Sequence, residues 1–207
     1  MSKQAMPSNI IQEIFEVKRK KFVTPNYIRV TLTGENIIKF VNTTTGTHNK
    51  IFIPPMGLNE IHFLNLDLKK MQWIYPPEDV RPFVRTYTHR GFNAAKNEMY
   101  IDFVIHKKNG PASIWALNCK KKDVIGIAMK TGKEELYQKA DWYLLAGDTT
   151  AIPVLSNILA SLPAHVKGKC VIEVHSKDDE QVLKTKADIQ FYWLHNPDSE
   201  KSSTLTQ

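Results

Sequence analysis

The 207-residue sequence holds only two cysteines, Cys119 and Cys170, set 51 positions apart. No CxxC pair or zinc-type spacing exists, which excludes a disulfide framework and a structural zinc site. Two buried thiols in a reducing compartment are expected instead. No run of about eighteen apolar residues occurs, so no membrane-spanning helix is expected. The opening Met1-Ser2-Lys3-Gln4 lacks the apolar core of a signal peptide, and a cytoplasmic location follows as the expectation. The histidines form no cluster, so no protein-held metal is expected. GxGxxG, internal repeats and low-complexity tracts are absent. The basic runs Lys18-Arg19-Lys20-Lys21 and Lys120-Lys121-Lys122 come without an aromatic-studded RNA-binding motif or a helix-turn-helix. They read as strand ends and turns, and nucleic acid is not an expected partner.

What is present is ordinary globular composition, 42% hydrophobic and 24% charged. The net charge of +7 is unevenly spread. Residues 1–140 carry 22 Lys and Arg against 12 Asp and Glu, whereas 141–207 carry 6 against 9. A basic first part suits an anionic ligand, and the asymmetry argues for two units with different duties.

The patterning agrees. Ile14, Val17 and Phe22, then Ile28, Val30 and Leu32, flank the turn residues Thr24-Pro25-Asn26 and predict two adjacent antiparallel strands. Ile51-Phe52-Ile53, Phe83 to His89, Met99 to His106 and Val124 to Met129 bring the count to six, while proline-rich 54–81 reads as an irregular excursion. Short strands ended by one short helix predict an antiparallel barrel over residues 10–135. After Gly132 the period changes. The apolar run Trp142 to Ala146 predicts a strand buried on both faces of a parallel sheet. Ile152, Leu155, Ile158, Leu159 and Leu162 follow a helical spacing, behind a threonine cap and with Pro153 in the first turn. Cys170 to Val174 and Phe191 to Leu194 add two strands, so residues 140–198 form an α/β unit. The ends, 1–9 and 199–207, are polar and read as mobile tails.

The chemistry-bearing stretch is Arg85-Thr86-Tyr87-Thr88-His89-Arg90, followed by Asp102 to His106 and Gly110-Pro111-Ala112-Ser113-Ile114-Trp115. On a strand Arg85 and Tyr87 share a face and Thr88 points across. Arginine offers a pyrophosphate the fork that lysine lacks. A helix opening at Gly110 presents free N–H groups, a second anion site. Each feature also has a plain reading: a salt-bridged barrel arginine, an edge-strand histidine at His106, an ordinary helix closing the barrel. Asp102 reads as a hydrogen-bonding or ion-pairing residue of the barrel. Gly147-Asp148-Thr149-Thr150-Ala151 is a strand-to-helix turn able to seat a dinucleotide pyrophosphate, though alone its specificity is low. Ser176 and Lys177 suit a 2′-phosphate, opposed by the neighbouring Asp178, Asp179 and Glu180.

These strings, over about residues 12–198, resemble the siderophore-interacting proteins, FAD-containing ferric-siderophore reductases of the ferredoxin-reductase-like superfamily. Arg-x-Tyr-Thr-x-Arg stands complete through Arg90, and the Gly-Pro-Ala-Ser string precedes Trp115. The resemblance implies an FAD-binding barrel and a nicotinamide-binding α/β unit. Arg85, Tyr87, Thr88, Arg90, His106, Gly110, Pro111, Ala112, Ser113 and Trp115 would contact FAD. Gly147, Asp148, Thr149, Thr150 and Ala151 would contact NADPH or NADH, with Thr149 standing where the family has glutamate. The flavin itself performs the chemistry, so no catalytic side chain is implied. The implied activity moves electrons from NAD(P)H through FAD to a ferric siderophore, in a monomer. Relatives continue beyond this point, so the α/β unit is expected to be a shortened one. A related reductase with another acceptor and a non-enzymatic siderophore-binding module remain as rival readings.

Overall fold

The computed structural model describes residues 9–67, 70–105, 110–198 and 202–205. In chain order the strands and helices are β1 (Ile10–Thr24), β2 (Tyr27–Thr33), β3 (His48–Ile53), β4 (Asn65–Asp67), β5 (Gln72–Ile74), β6 (Phe83–Thr88), β7 (Gly91–Asn93), β8 (Glu98–Val104), α1 (Pro111–Asn118), β9 (Val124–Lys130), β10 (Trp142–Asp148), α2 (Ile152–Ser161), β11 (Lys167–Val174) and β12 (Asp188–His195). None of the described helices is long and apolar enough to cross a membrane.

Seven strands form one curled antiparallel sheet in the order β6-β3-β9-β1-β2-β8-β7. The expected six-stranded barrel is therefore corrected to seven strands. The extra one, the three-residue β7, is too short to carry an alternation signal. Residues 54–81 also hold a separate hairpin, β4 with β5, that the prolines concealed. Inward-facing Phe15, Val30, Leu32, Ile101, Phe103, Ile125 and Ile127 fill the sheet's concave side. A register shift in β1 between Val17 and Arg19 inserts one extra residue. It allows Lys18 and Arg19 both to reach the buried Glu98, at 2.9 Å and 2.7 Å. Lys20 Nζ donates to the Ala116 carbonyl at the end of α1 at 3.3 Å. Much of the first basic run is thus engaged in holding the fold.

The second sheet is parallel, in the order β10-β11-β12, with α2 crossing between the first two strands. Leu155 and Leu159 of α2 meet Cys170, Ile172 and Val174 of β11 in a second core. β10 departs from expectation. Among the described residues it pairs with β11 only, and Trp142 and Leu144 are 54% and 62% exposed, so it is an edge strand open on one face. An apolar run alone does not report which neighbours exist to cover it. The helix cap is corrected too: α2 has Ala151 at its N-cap without a side-chain cap bond, and the Asp148 carboxylate instead caps the turn just before it, accepting from the Thr150 and Ala151 N–H groups at 2.8 Å and 3.3 Å. Cys119 and Cys170 are buried and unbridged.

Several contacts tie the two sheets among the described residues. Tyr27, fully buried, packs in the second core while its hydroxyl reaches Asp102. Asp179 accepts from Thr24 Oγ1, the Asn26 N–H and Asn26 Nδ2 at 2.9–3.1 Å. Asn157 of α2 donates to the Arg90 carbonyl at 3.2 Å.

Candidate functional site

β6 is an edge strand, and this follows through to the site. His89 N–H donates to Thr47 O, and Gly46 N–H donates to His89 O. Antiparallel ladders alternate, so Thr86 and Thr88 turn their backbone N–H and C=O away from β3 to the open side. There a cleft of about 410 Å³ separates β6 from β8, α1 and the start of α2. Its walls are Arg85, Thr86, Tyr87 and Thr88, with His48 beside them, Asp102 and Val104 of β8, Ser113 of α1, and Thr150 and Pro153.

The aromatic wall has depth. Tyr87 packs on Phe103 with ring centroids 4.7 Å apart, and Phe103 on Trp115 at 5.7 Å. Burial pushes the Tyr87 phenol up to about 12, opposed by Arg85, so its hydroxyl stays neutral. A planar ring laid against Tyr87 therefore meets a rigid, uncharged surface. Trp115 lies two rings behind the cleft and supports Tyr87 through Phe103.

The floor is an ion-pair cluster. The Asp102 carboxylate, 0% exposed, takes Arg29 Nε and Nη2 at 2.7 Å and 2.8 Å, and Tyr27 Oη at 3.0 Å. Arg90 Nε stands 3.3 Å from Asp102 Oδ2. Burial raises the Tyr27 phenol well above its ordinary range, with the Asp102 charge second, so Tyr27 is a donor here. Two guanidiniums on one carboxylate leave a positive balance beneath the cleft. Arg85 adds to it from the rim: among the described residues its one polar contact is with the Val84 carbonyl at 2.8 Å, and it makes no ion pair. The site is electrostatically prepared for an anion.

Of the residues expected from the sequence, Arg85, Tyr87, Thr88, Ser113 and Thr150 are brought together around one space. Ser113 donates its hydroxyl to the Val104 carbonyl at 3.0 Å. Gly110 is the residue before α1, without a side-chain cap, and Pro111 has no N–H, so the first free donors belong to Ala112 and Ser113. Arg90 lies under the floor. His106 falls outside the described residues. Gly147, Asp148, Thr149 and Ala151 form the turn behind Thr150. A Cβ at Gly147 would stand 2.5 Å from the Ala151 Cβ, so the turn requires glycine. The N–H donors of Thr150 and Ala151, the natural seat for a pyrophosphate, are already taken by Asp148. Asp179, weighed above as an acid opposing a 2′-phosphate, is buried in the tie between the sheets, and Ser176 donates to it at 3.2 Å. His48, Thr86, Asp102 and Val104 line the cleft without having been singled out as site residues. Thr86 was legible as a neighbour in the motif, but no signal marked His48, which reaches the site through its register with Thr88.

A curled antiparallel sheet and a parallel α/β sheet, meeting at a cleft on an open sheet edge, define the ferredoxin-reductase-like fold. A ferredoxin NADP+ reductase from Neisseria gonorrhoeae shares it at a TM-score of 0.57 and 12% identity, over 91% of this chain and 69% of that one. The model of the siderophore-interacting FAD-binding domain matches residues 16–133, and that of the siderophore-interacting protein matches 140–207. The ferric vibriobactin reductase ViuB of Vibrio cholerae is 34% identical over 191 residues, which cover 90% of this chain and 69% of that protein. The siderophore-interacting protein SipS of Aeromonas hydrophila superposes with a TM-score of 0.73 at 28% identity, covering 92% of this chain and 70% of its own. The chain belongs to the siderophore-interacting protein family.

Proposed function

We propose that this protein is a flavoprotein oxidoreductase that takes electrons from NADPH or NADH and delivers them through FAD to a ferric siderophore. Residues 10–135 form the FAD-binding unit and 140–198 the unit that presents the nicotinamide. The observation that carries the reading is the cleft itself, where the free edge of β6, the Tyr87 ring and Arg85, without an ion pair among the described residues, face Ser113 and Thr150. FAD, when bound, converts a two-electron hydride donor into one-electron steps. One NAD(P)H then reduces two Fe³⁺ to Fe²⁺ and releases one proton. Fe²⁺ is held far more weakly by hard oxygen chelators, so reduction frees the metal.

The residues present fit FAD. Tyr87, stiffened by Phe103 and Trp115, would pack the isoalloxazine. The outward amides of Thr86 and Thr88 would serve its polar edge, since a half-buried ring needs partners for its nitrogens and carbonyls. Arg85 and the Ala112 and Ser113 N–H groups would hold the pyrophosphate. Arg90 acts one step back, by holding Asp102 and keeping the floor positive. Thr150 and Pro153 bring the nicotinamide-presenting unit to the same cleft. With Asp148 on the turn N–H groups, a nicotinamide dinucleotide would have to be held at Thr150 by other contacts. The NADPH-dependent ferric-chelate reductase of Escherichia coli, 24% identical over 92% of this chain and 74% of that protein, supports the choice of donor and acceptor.

FAD titration tests the assignment. Arg85→Ala removes a charge-assisted contact worth roughly 1.5–3 kcal/mol. A loss of about 10- to 100-fold in FAD affinity is expected, partly regained in Arg85→Lys, which lacks the fork. Equal affinity in wild type and Arg85→Ala would contradict it.

A further inference from the structure

The proposed reaction leaves a proton to be removed. A hydride brings two electrons and one hydrogen nucleus, and two Fe³⁺ each take one electron. The nucleus stays behind and must leave the cleft as a proton, one for each NAD(P)H oxidised. A side chain that takes up a proton near neutrality speeds such a step.

Among the described residues lining the cleft, His48 alone is of that kind. Burial pushes the Tyr87 phenol up to about 12. The Asp102 carboxylate, 0% exposed, is engaged by Arg29, Arg90 and Tyr27. Arg85 keeps its charge at any working pH. The charged groups facing His48 are Lys50 on its own strand, Arg85 from β6 and Asp102 from β8. From α1 and the start of α2 come only the uncharged Ser113, Thr150 and Pro153.

The placement of His48 suits the task. It stands directly opposite Thr88 in the β3–β6 ladder. Thr88 turns its backbone away from β3, so the two form a non-hydrogen-bonded pair, whose side chains approach most closely. The next such pair on that face is Lys50 with Thr86, and there Lys50 Nζ donates to Thr86 Oγ1 at 2.5 Å. The Thr88 hydroxyl is not engaged in this way among the described residues, which leaves it able to donate and accept. His48 is also exposed, so a proton on its ring has an exit to water.

Resting on the reading of this cleft as the flavin site, we propose that His48 is the proton acceptor of the reaction, receiving the proton on an imidazole nitrogen through Thr88 Oγ1 and passing it to water. Thr88 gives its own hydroxyl proton to the ring as it takes up the departing one, and so ends unchanged. The imidazole carries one positive charge until water removes it.

Two readouts separate this role from a structural one. The first is the NMR titration of the His48 ring in FAD-loaded protein, its signal identified by its loss in His48→Gln. Reducing the flavin with dithionite should raise the midpoint by about half a pH unit or more, because negative charge nearby favours imidazolium. The second is reoxidation of the dithionite-reduced protein by ferricyanide, which requires neither nicotinamide nor siderophore. The wild-type rate should rise with pH across the histidine range. At pH 7.5, His48→Gln and Thr88→Val should each be about 10-fold slower, with Thr88→Ser near wild type. Added imidazole should restore most of the rate lost in His48→Gln. All variants are loaded with FAD before mixing, so altered affinity does not enter the rate. A midpoint that ignores the flavin's redox state, or a His48→Gln profile matching wild type, overturns the proposal and leaves the flavin site standing. A slow His48→Gln that imidazole does not restore also overturns it, by making His48 structural. Wild-type protein that never binds FAD refutes the cleft reading itself, and this proposal with it.

Discussion

His89 offers a sharp test of how the β6 region is built. Its side chain is fully buried, both ring nitrogens lack a hydrogen-bond partner among the described residues, and burial lowers its pKa from 6.5 to about 4. In the unfolded chain the imidazole takes a proton near 6.5, whereas the folded protein resists protonation until about pH 4. The stabilising difference is therefore complete above pH 6.5 and drains away as the pH falls toward 4. At about 1.4 kcal/mol for each tenfold change, the loss across that window is roughly 3 kcal/mol. Urea unfolding of the flavin-free protein at intervals from pH 7.5 to 4.5, followed by tryptophan fluorescence, measures the slope. His89→Phe keeps the ring and removes the titration. Its stability should lose most of that pH dependence, and at pH 7 it should at least equal wild type, since two buried unpaired nitrogens disappear. The buried carboxylates do not obscure the window. Glu98 is held low chiefly by hydrogen bonds from Arg19, so its contribution leaves only in stronger acid. Burial would raise Glu173 and Asp179, but the hydrogen bonds to each more than offset it, and these too are lost later. Identical pH slopes in wild type and His89→Phe would refute the reasoning.

Asp179→Ala removes the acceptor of Thr24 and Asn26 and should cost about 2–4 kcal/mol in urea unfolding. Because Asp179 ties the sheets rather than touching the cleft, it should also slow reduction of bound flavin by NADPH while FAD affinity stays within a few-fold; unchanged reduction would deny it a positioning role. Gly147→Ala places a Cβ against the fixed Ala151 Cβ and should destabilise by roughly 1–3 kcal/mol, a thermal melt giving the answer. Arg29→Met strips the better partner from the buried Asp102, and a loss of about 3 kcal/mol is expected in the same assay.

Much of the fold was legible because its signals are local. Alternating Ile28, Val30 and Leu32 face one core, and the helical spacing of Leu155 and Leu159 faces another. The site was legible as a string of residues, since Arg85, Tyr87 and Thr88 lie within four positions on one strand. The parts that escaped depend on distant partners. Asp102 sits at the floor because β2 and β8 pair in register, bringing Arg29 opposite it. His48 lines the cleft through the pairing of β3 with β6. Trp115 carries the same letters whatever it packs against, and its place behind Phe103 depends on how α1 meets β8. The exposure of Trp142 and Leu144 arises because nothing among the described residues covers that face of β10, which an apolar run does not reveal. The β4–β5 hairpin was hidden among prolines, where neither a two-residue nor a helical period develops.

The central claim is that electrons leave this cleft for iron. Its most direct test is an anaerobic stopped-flow experiment on FAD-loaded protein, first mixed with NADPH and then with a ferric siderophore in the presence of an Fe²⁺-specific chelator. The account predicts that NADPH bleaches the flavin's visible absorbance. The siderophore should then restore it rapidly, with two Fe²⁺ captured for each NADPH oxidised. Flavin that NADPH reduces but that stays bleached in the presence of the ferric siderophore would contradict it.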